Sequence, residues 1–268
     1  MGKKRKNNKG WRIIGNILLF IIKIPYYIGK GIYIIIKKSN ESVKRKEIEE
    51  KRGSVKAVYS EFEVIEENEG DYKKWSERLF KSDSKIGVIL GARGSGKTAF
   101  GVKMLENAYA KYKKKCYAIG FHEDEMPSWI NVVSDISKIG NDSFVLIDEG
   151  GVLYNARDFM SSANKILSEL ILIARHKNLS ILFISQNSSN LEINILRQAD
   201  FLALKSSSLL QKEFERKIVQ KIYDKVEEQF KKFEGEPGAT YIYADSFKGF
   251  IANPLPSFWG IKISKSFR

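Results

Sequence analysis

One cysteine in 268 residues, Cys116, and two widely separated histidines, His122 and His176, leave nothing from which to build a disulfide framework or a Cys/His zinc site. Acidic residues are scarce at one end. Residues 1–56 carry sixteen Lys or Arg against four Glu, a net +12 out of +14 for the whole chain. The remainder is close to neutral, so the basic character that would otherwise suggest a nucleic-acid-binding globule belongs to an N-terminal appendage. A small-residue cleavage pattern is also lacking, and Lys23 and Lys30 interrupt the apolar run there, which argues against a cleaved signal peptide.

What the appendage does contain is Trp11 to Ile36, dominated by Ile, Leu, Phe and Tyr. About 20 such residues suffice to cross a bilayer. Lys23 and Lys30 would each cost roughly 2.5–3.5 kcal/mol at mid-membrane, and Pro25 removes a helical hydrogen bond. The two lysines share a helix face, which suits a helix lying in the interface or a tilted span with its ammonium groups among the headgroups. Basic residues on both flanks give no orientation. The expectation is a membrane-associated segment over 1–38, with lipid as partner through residues 11–36. A charged linker over 39–54 ("SNESVKRKEIEEKR") and a globular domain over 55–268 follow.

The domain opens its chemistry with "KIGVIL" followed by "GARGSGKT", Gly91 to Thr98, and then a helical pattern. Gly91, Gly96, Lys97 and Thr98 match G-x4-G-K-[ST]. Gly91, Ala92, Arg93, Gly94, Ser95 and Gly96 form a loop whose backbone amides turn toward phosphate oxygens. Lys97 reaches the β and γ phosphates, Thr98 holds Mg²⁺, and the helix start presents its positive dipole end. ATP and Mg²⁺ are the expected cofactors. "CYAIG" reads as a second strand and "SFVLIDEGG" as a buried strand ending in acids, with Asp148 placed to coordinate Mg²⁺ and Glu149 to act as general base. "LSILFISQNSSN" reads as a third strand ending on Gln186, a residue suited to sensing the γ-phosphate or orienting water. The intervening helix ends in Arg175 and His176. Those basic residues either complement the helix dipole or present Arg175 to a neighbouring subunit as an arginine finger.

The runs "LIDEGG", "ARHKNLSILFISQNSSN" and "ILRQADFLALK", together with the phosphate loop, resemble the HerA and FtsK superfamily of DNA-translocating ATPases. Within it the sequence looks most like the small genome-packaging ATPases of tailless viruses with an internal membrane, with zonular occludens toxin-like assembly ATPases as near relatives. The resemblance spans roughly Lys85 to Lys205. It implies an α/β, RecA-like P-loop NTPase with a mostly parallel central sheet flanked by helices. It further implies a homo-oligomeric ring, often a hexamer, that threads double-stranded DNA using ATP. Carried over, Asp148 and Glu149 are the acidic pair, Gln186 the sensor and Arg175 the finger, with Arg197 second. The long apolar N-terminus departs from both subgroups.

Further along, "DFLALKSS" reads as a core strand. "LLQKEFERKIVQKIYDKVEEQFKKF" reads as one long amphipathic helix stopped by "GEPG", and "TYIYADSFKGFIAN" as a strand pair turning at "DSFKG". Phe258 and Trp259 read first as a tail packed on the domain, with contact to DNA or a capsid or coat protein as the other use. Three functions stay open: a DNA translocase, a membrane-anchored motor extruding coat or pilus subunits, and a nucleotide-dependent scaffold without essential turnover. The expected location is a membrane, with the ATPase domain on the cytoplasmic side, or a virion.

Overall fold

A computed structural model describes residues 37, 40, 43, 46–81, 84–150 and 159–260, of which 159–167 as backbone only. The apolar segment expected over 11–36 lies outside the described residues, as do residues 151–158. Among the described residues no helix is long and apolar enough to cross a membrane. The chain divides into two units, Met1–Lys51 and Arg52–Arg268. In the first, residues 46–51 are helical and mostly exposed.

The second unit is built on a nine-stranded sheet in the order β1-β9-β8-β7-β2-β6-β5-β3-β4. Three strands carry the reason for its centre: β2 (Ile86–Leu90), β5 (Ser143–Asp148) and β6 (Ser180–Ile184) are continuous apolar runs, buried at every position. Such runs fit only a parallel sheet covered on both faces. All pairing here is parallel: β2 lies between β6 and β7 (Phe201–Leu204), β6 pairs with β5, β5 with β3 (Lys115–Ile119) and β3 with β4 (Ile130–Val132). Beyond β7 the sheet turns antiparallel through β8 (Ala239–Ala244), β9 (Phe247–Ala252) and β1 (Glu63–Gly70). The mostly parallel α/β sheet of the sequence reading is thus present.

Helices α1 (Tyr72–Lys81) and α2 (Lys97–Tyr112) cover one face, where Trp75 meets Phe201 edge-on at 5.4 Å and Phe100, Leu105 and Phe144 are fully buried. Glycine at 101 permits the close approach: a Cβ there would stand 2.6 Å from Leu146 Cδ1. The other face is covered by α3 (Phe159–Lys177), α4 (Ile193–Gln198) and α6 (Lys217–Lys232), through Leu170, Ala174, Ile195, Val219 and Ile222.

Two readings need correction. The expected single helix after Ser208 is two, α5 (Leu209–Phe214) and α6, because Glu215 and Arg216 leave helical geometry. The buried Glu215 carboxylate accepts from the amide of Ser188 at 2.7 Å, and the amide of Arg216 donates to Ser188 Oγ at 2.8 Å, so a tertiary partner replaces the helical ones. The strand expected to end on Gln186 ends at Ile184, because Ser185 and Gln186 turn away to serve Glu149. The tail does pack: Phe258 meets Trp129 edge-on at 5.6 Å.

Candidate nucleotide site

Where β2 ends, the chain turns through Gly91, Gly94 and Gly96 with φ of 146°, 81° and 90°, a region that disfavours any residue with a Cβ. Gly91 is also hemmed in, since a Cβ there would stand 2.5 Å from Lys205 Cβ. The Ala92 amide is tied to Ser206 O at 2.9 Å and the Ser95 amide to Ala92 O at 3.2 Å. Gly96 then caps α2 without a side chain, leaving the first amides of that helix for an external acceptor. The hydroxyl of Ser95 is buried without a hydrogen-bond partner, and Arg93 is exposed at the loop tip.

Lys97 is 7% exposed and folds back over the loop, donating to Gly91 O at 2.7 Å and Ala92 O at 2.9 Å. Burial holds its ammonium below the ordinary lysine range, against the pull of Asp148, Glu149 and Glu215. The Thr98 hydroxyl donates to Asp148 Oδ2 at 3.2 Å, and the Gly150 amide donates to the other oxygen at 3.0 Å. Burial pushes Asp148 up to about 6 in spite of these donors. Glu149, 7% exposed, is likewise raised by burial, while the Ser185 hydroxyl, the Gln186 amide and the Asn190 side chain donate to it. The sheet therefore brings together Lys97, Thr98, Asp148 and Glu149 at the C-terminal ends of β2 and β5.

Magnesium fits this donor set. The ion is commonly held by one or two protein groups plus phosphate oxygens and water rather than by a carboxylate cage. Thr98 and Asp148 supply that pair, and among the described residues no cluster of three or more His, Cys, Asp or Glu offers a competing cage.

The remaining expected residues are placed differently. Gln186 is on the same side of the sheet, but its side chain is exposed; it acts on Glu149 through its backbone, and its carbonyl accepts from Gln211 Nε2. Arg175 is exposed in the last turn of α3, just before β6 begins. That is the N-terminal edge of the parallel strands, opposite the phosphate loop, as the bond from the Asp142 amide to Lys177 O also shows. Arg197, exposed at the end of α4 before β7, shares that edge. Neither reaches the site of its own chain. Sequence reasoning missed Ser185, Ser188, Glu215 and Lys205. For Lys205 alone there was a signal, a lysine ending an apolar strand.

No protein-family model matches the chain, and no curated protein sequence matches it. Similar solved structures include the DNA-packaging ATPase B204 from Sulfolobus Turreted Icosahedral Virus, 16% identical with a TM-score of 0.42, covering 65% of this chain and 99% of that one. The genome packaging NTPase B204 from Sulfolobus turreted icosahedral virus 2, in complex with ATP-gammaS, is 18% identical with a TM-score of 0.42 at the same coverage. The N-terminal domain of zonular occludens toxin from Neisseria meningitidis is 16% identical with a TM-score of 0.35, covering 70% of this chain and 100% of that one. Both kinds of protein are among those the motif resemblance named.

Proposed function

We propose that the chain is a magnesium-dependent ATPase whose turnover drives translocation of double-stranded DNA, as in genome packaging. The observation that carries the hydrolytic part is the Thr98–Asp148 hydrogen bond, which sets a magnesium-holding pair beside Lys97 and directly before Glu149. Lys97 exchanges the Gly91 and Ala92 carbonyls for β and γ phosphate oxygens. Thr98 and Asp148 would hold magnesium, which would offset charge on those oxygens. Glu149 accepts the proton of the attacking water. Burial raises its proton affinity for that task, while Ser185 and the Gln186 amide fix its orientation.

The DNA cargo rests on the sequence resemblance, as does a ring, for which a hexamer is the family's usual form. A ring also gives Arg175 a use, because from the far edge of its own sheet it can serve only a neighbour's nucleotide. Lipid contact through residues 11–36 and a capsid or coat partner complete the reading. The test is the steady-state ATPase rate with and without linear double-stranded DNA, with Glu149→Gln as blank. Turnover in the blank is expected to fall by about 10³-fold with nucleotide binding retained. DNA is expected to raise the wild-type rate. A rate indifferent to DNA in assembled rings would transfer the motor to a protein cargo, and full activity in Glu149→Gln would remove the site assignment.

A further inference from the structure

Lys205, the residue after β7, is 1% exposed, and among the described residues its ammonium has no carboxylate partner. Its amide donates to Leu90 O at 2.8 Å, where β2 passes into the phosphate loop, and its carbonyl accepts from the Tyr223 hydroxyl at 3.0 Å. From there the side chain runs beneath the loop. Its Cβ lies 2.5 Å from the place a Cβ would take on Gly91, and its Cε and Nζ each lie 4.0 Å from the same place on Gly96. The ammonium ends on Gly238 O at 2.8 Å and Asn253 Oδ1 at 2.8 Å, and stands 5.5 Å from the centre of the Phe100 ring on α2. It also lines a cavity of about 720 Å³ shared with Gly94, Ser95, Gly96 and Ala99.

Every acceptor of this ammonium is neutral. A buried cation held only by carbonyl dipoles carries a desolvation cost that an apolar side chain of the same length would not, so stability gives no reason for it. Its place against the underside of an anion-binding loop does give one. We propose that Lys205 is a second cation of the nucleotide site, its ammonium buried beneath the phosphate loop and acting through the loop to hold a bound polyphosphate. This rests on reading Gly91–Thr98 as a phosphate site. It makes Lys205 a positioning residue, distinct from Lys97 above the loop.

The charge is titratable. Burial lowers the Lys205 ammonium to about 7, and an anionic ligand favours the protonated form. The other ionisable groups around it are Lys97 across the loop, Tyr223 at its carbonyl, and Glu61, Glu63 and Glu236 on the cavity wall. Below about pH 7 Lys205 is charged with or without ligand and its contribution to binding is complete. Above that, binding requires proton uptake, and the contribution fades as pH rises toward the ligand-bound value.

The experiment is calorimetric binding of inorganic tripolyphosphate to the full chain between about pH 6 and about pH 9. Wild type is compared with Lys205→Met, Lys205→Gln and Lys97→Ala. Glutamine keeps a donor for Gly238 and Asn253 without the charge. Both Lys205 variants, with no loss of ligand-free melting temperature, are expected to bind about tenfold more weakly near pH 6, with the gap closing toward pH 9. Wild-type affinity in Lys205→Gln near pH 6, or a deficit that stays constant with pH, overturns the inference. Undiminished binding in Lys97→Ala would instead show that the loop is not the phosphate site, and the inference falls with that reading.

Discussion

The parallel and antiparallel halves of the sheet divide the work. In the parallel half, β2, β5 and β6 are buried at every position; β5 ends on Asp148, and β2 and β6 run directly into Gly91 and Ser185, so the chemistry sits where three buried strands stop. The antiparallel half, β8, β9 and β1, ends in no reactive group, and its outer strand "EVIEENEG" is mostly exposed, with Glu63, Glu67 and Glu69 among the exposed residues that blunt the edge. The two halves meet at the site through Lys205, whose backbone belongs to the first and whose ammonium is held by Gly238 and Asn253 of the second. One half supplies reactive groups, and the other supplies rigidity and a wall.

The largest effect is expected on the side that carries no chemistry. Phe247, 1% exposed, packs against Tyr72 at 5.6 Å and Trp75 at 5.8 Å, joining β9 to α1. Phe247→Ala is expected to cost about 3–5 kcal/mol of stability, read by denaturant unfolding, because it opens a cavity the surrounding rings cannot fill. The variant is expected to keep the wild-type kcat at temperatures where it remains folded. A folded Phe247→Ala with kcat lost would mean that the antiparallel half takes part in catalysis.

The reverse substitution on the parallel side is smaller. The Ser185 hydroxyl donates to Glu149 and is 1% exposed. Ser185→Ala leaves Glu149 with its Gln186 and Asn190 donors but a looser orientation. About a tenfold fall in kcat is expected, with KM and melting temperature close to wild type, since a charge-assisted hydrogen bond contributes about 1.5–3 kcal/mol. An unchanged kcat would release Glu149 from the role of base.

Legibility in the sequence follows the same division only in part, since the antiparallel pair β8 and β9 was also legible from its alternation and its turn. Buried parallel strands are runs of Val, Ile, Leu and Phe with turn residues after them, so β2, β3, β5, β6 and β7 could be read, as could the residues at two of their ends, Gly91 and Asp148. By contrast β1 was not legible, because an edge strand of glutamates is held by its neighbour β9 and not by its own pattern. Helix α1 and the three-residue β4 were missed for want of a flanking signal. The break between α5 and α6 was invisible because its cause, Ser188, lies well back in the chain. The same reason hid Ser185: a serine after an apolar strand looks like a turn until the fold sets it against Glu149.

The last comparison sharpens the electrostatics of the parallel half. Burial disfavours the charge of Asp148 and pushes it up to about 6 in the folded chain, from an ordinary value of 3.8. Between those values the folded state binds more protons than the unfolded one, so the contribution of Asp148 to stability declines as pH rises through about 4 to 6 and is level above. Asp148→Asn cannot ionise and escapes the decline. The melting temperature of the variant relative to wild type, measured without nucleotide or magnesium, is therefore expected to climb through that window and then stay constant. A rise of about two pKa units corresponds to about 3 kcal/mol, or a climb of about 6–12 °C in a chain of this size. Repeating the comparison in Glu149→Gln separates the neighbouring carboxyl, which burial also raises. A difference that is flat from about pH 4 to 7 would mean that Asp148 keeps its charge throughout.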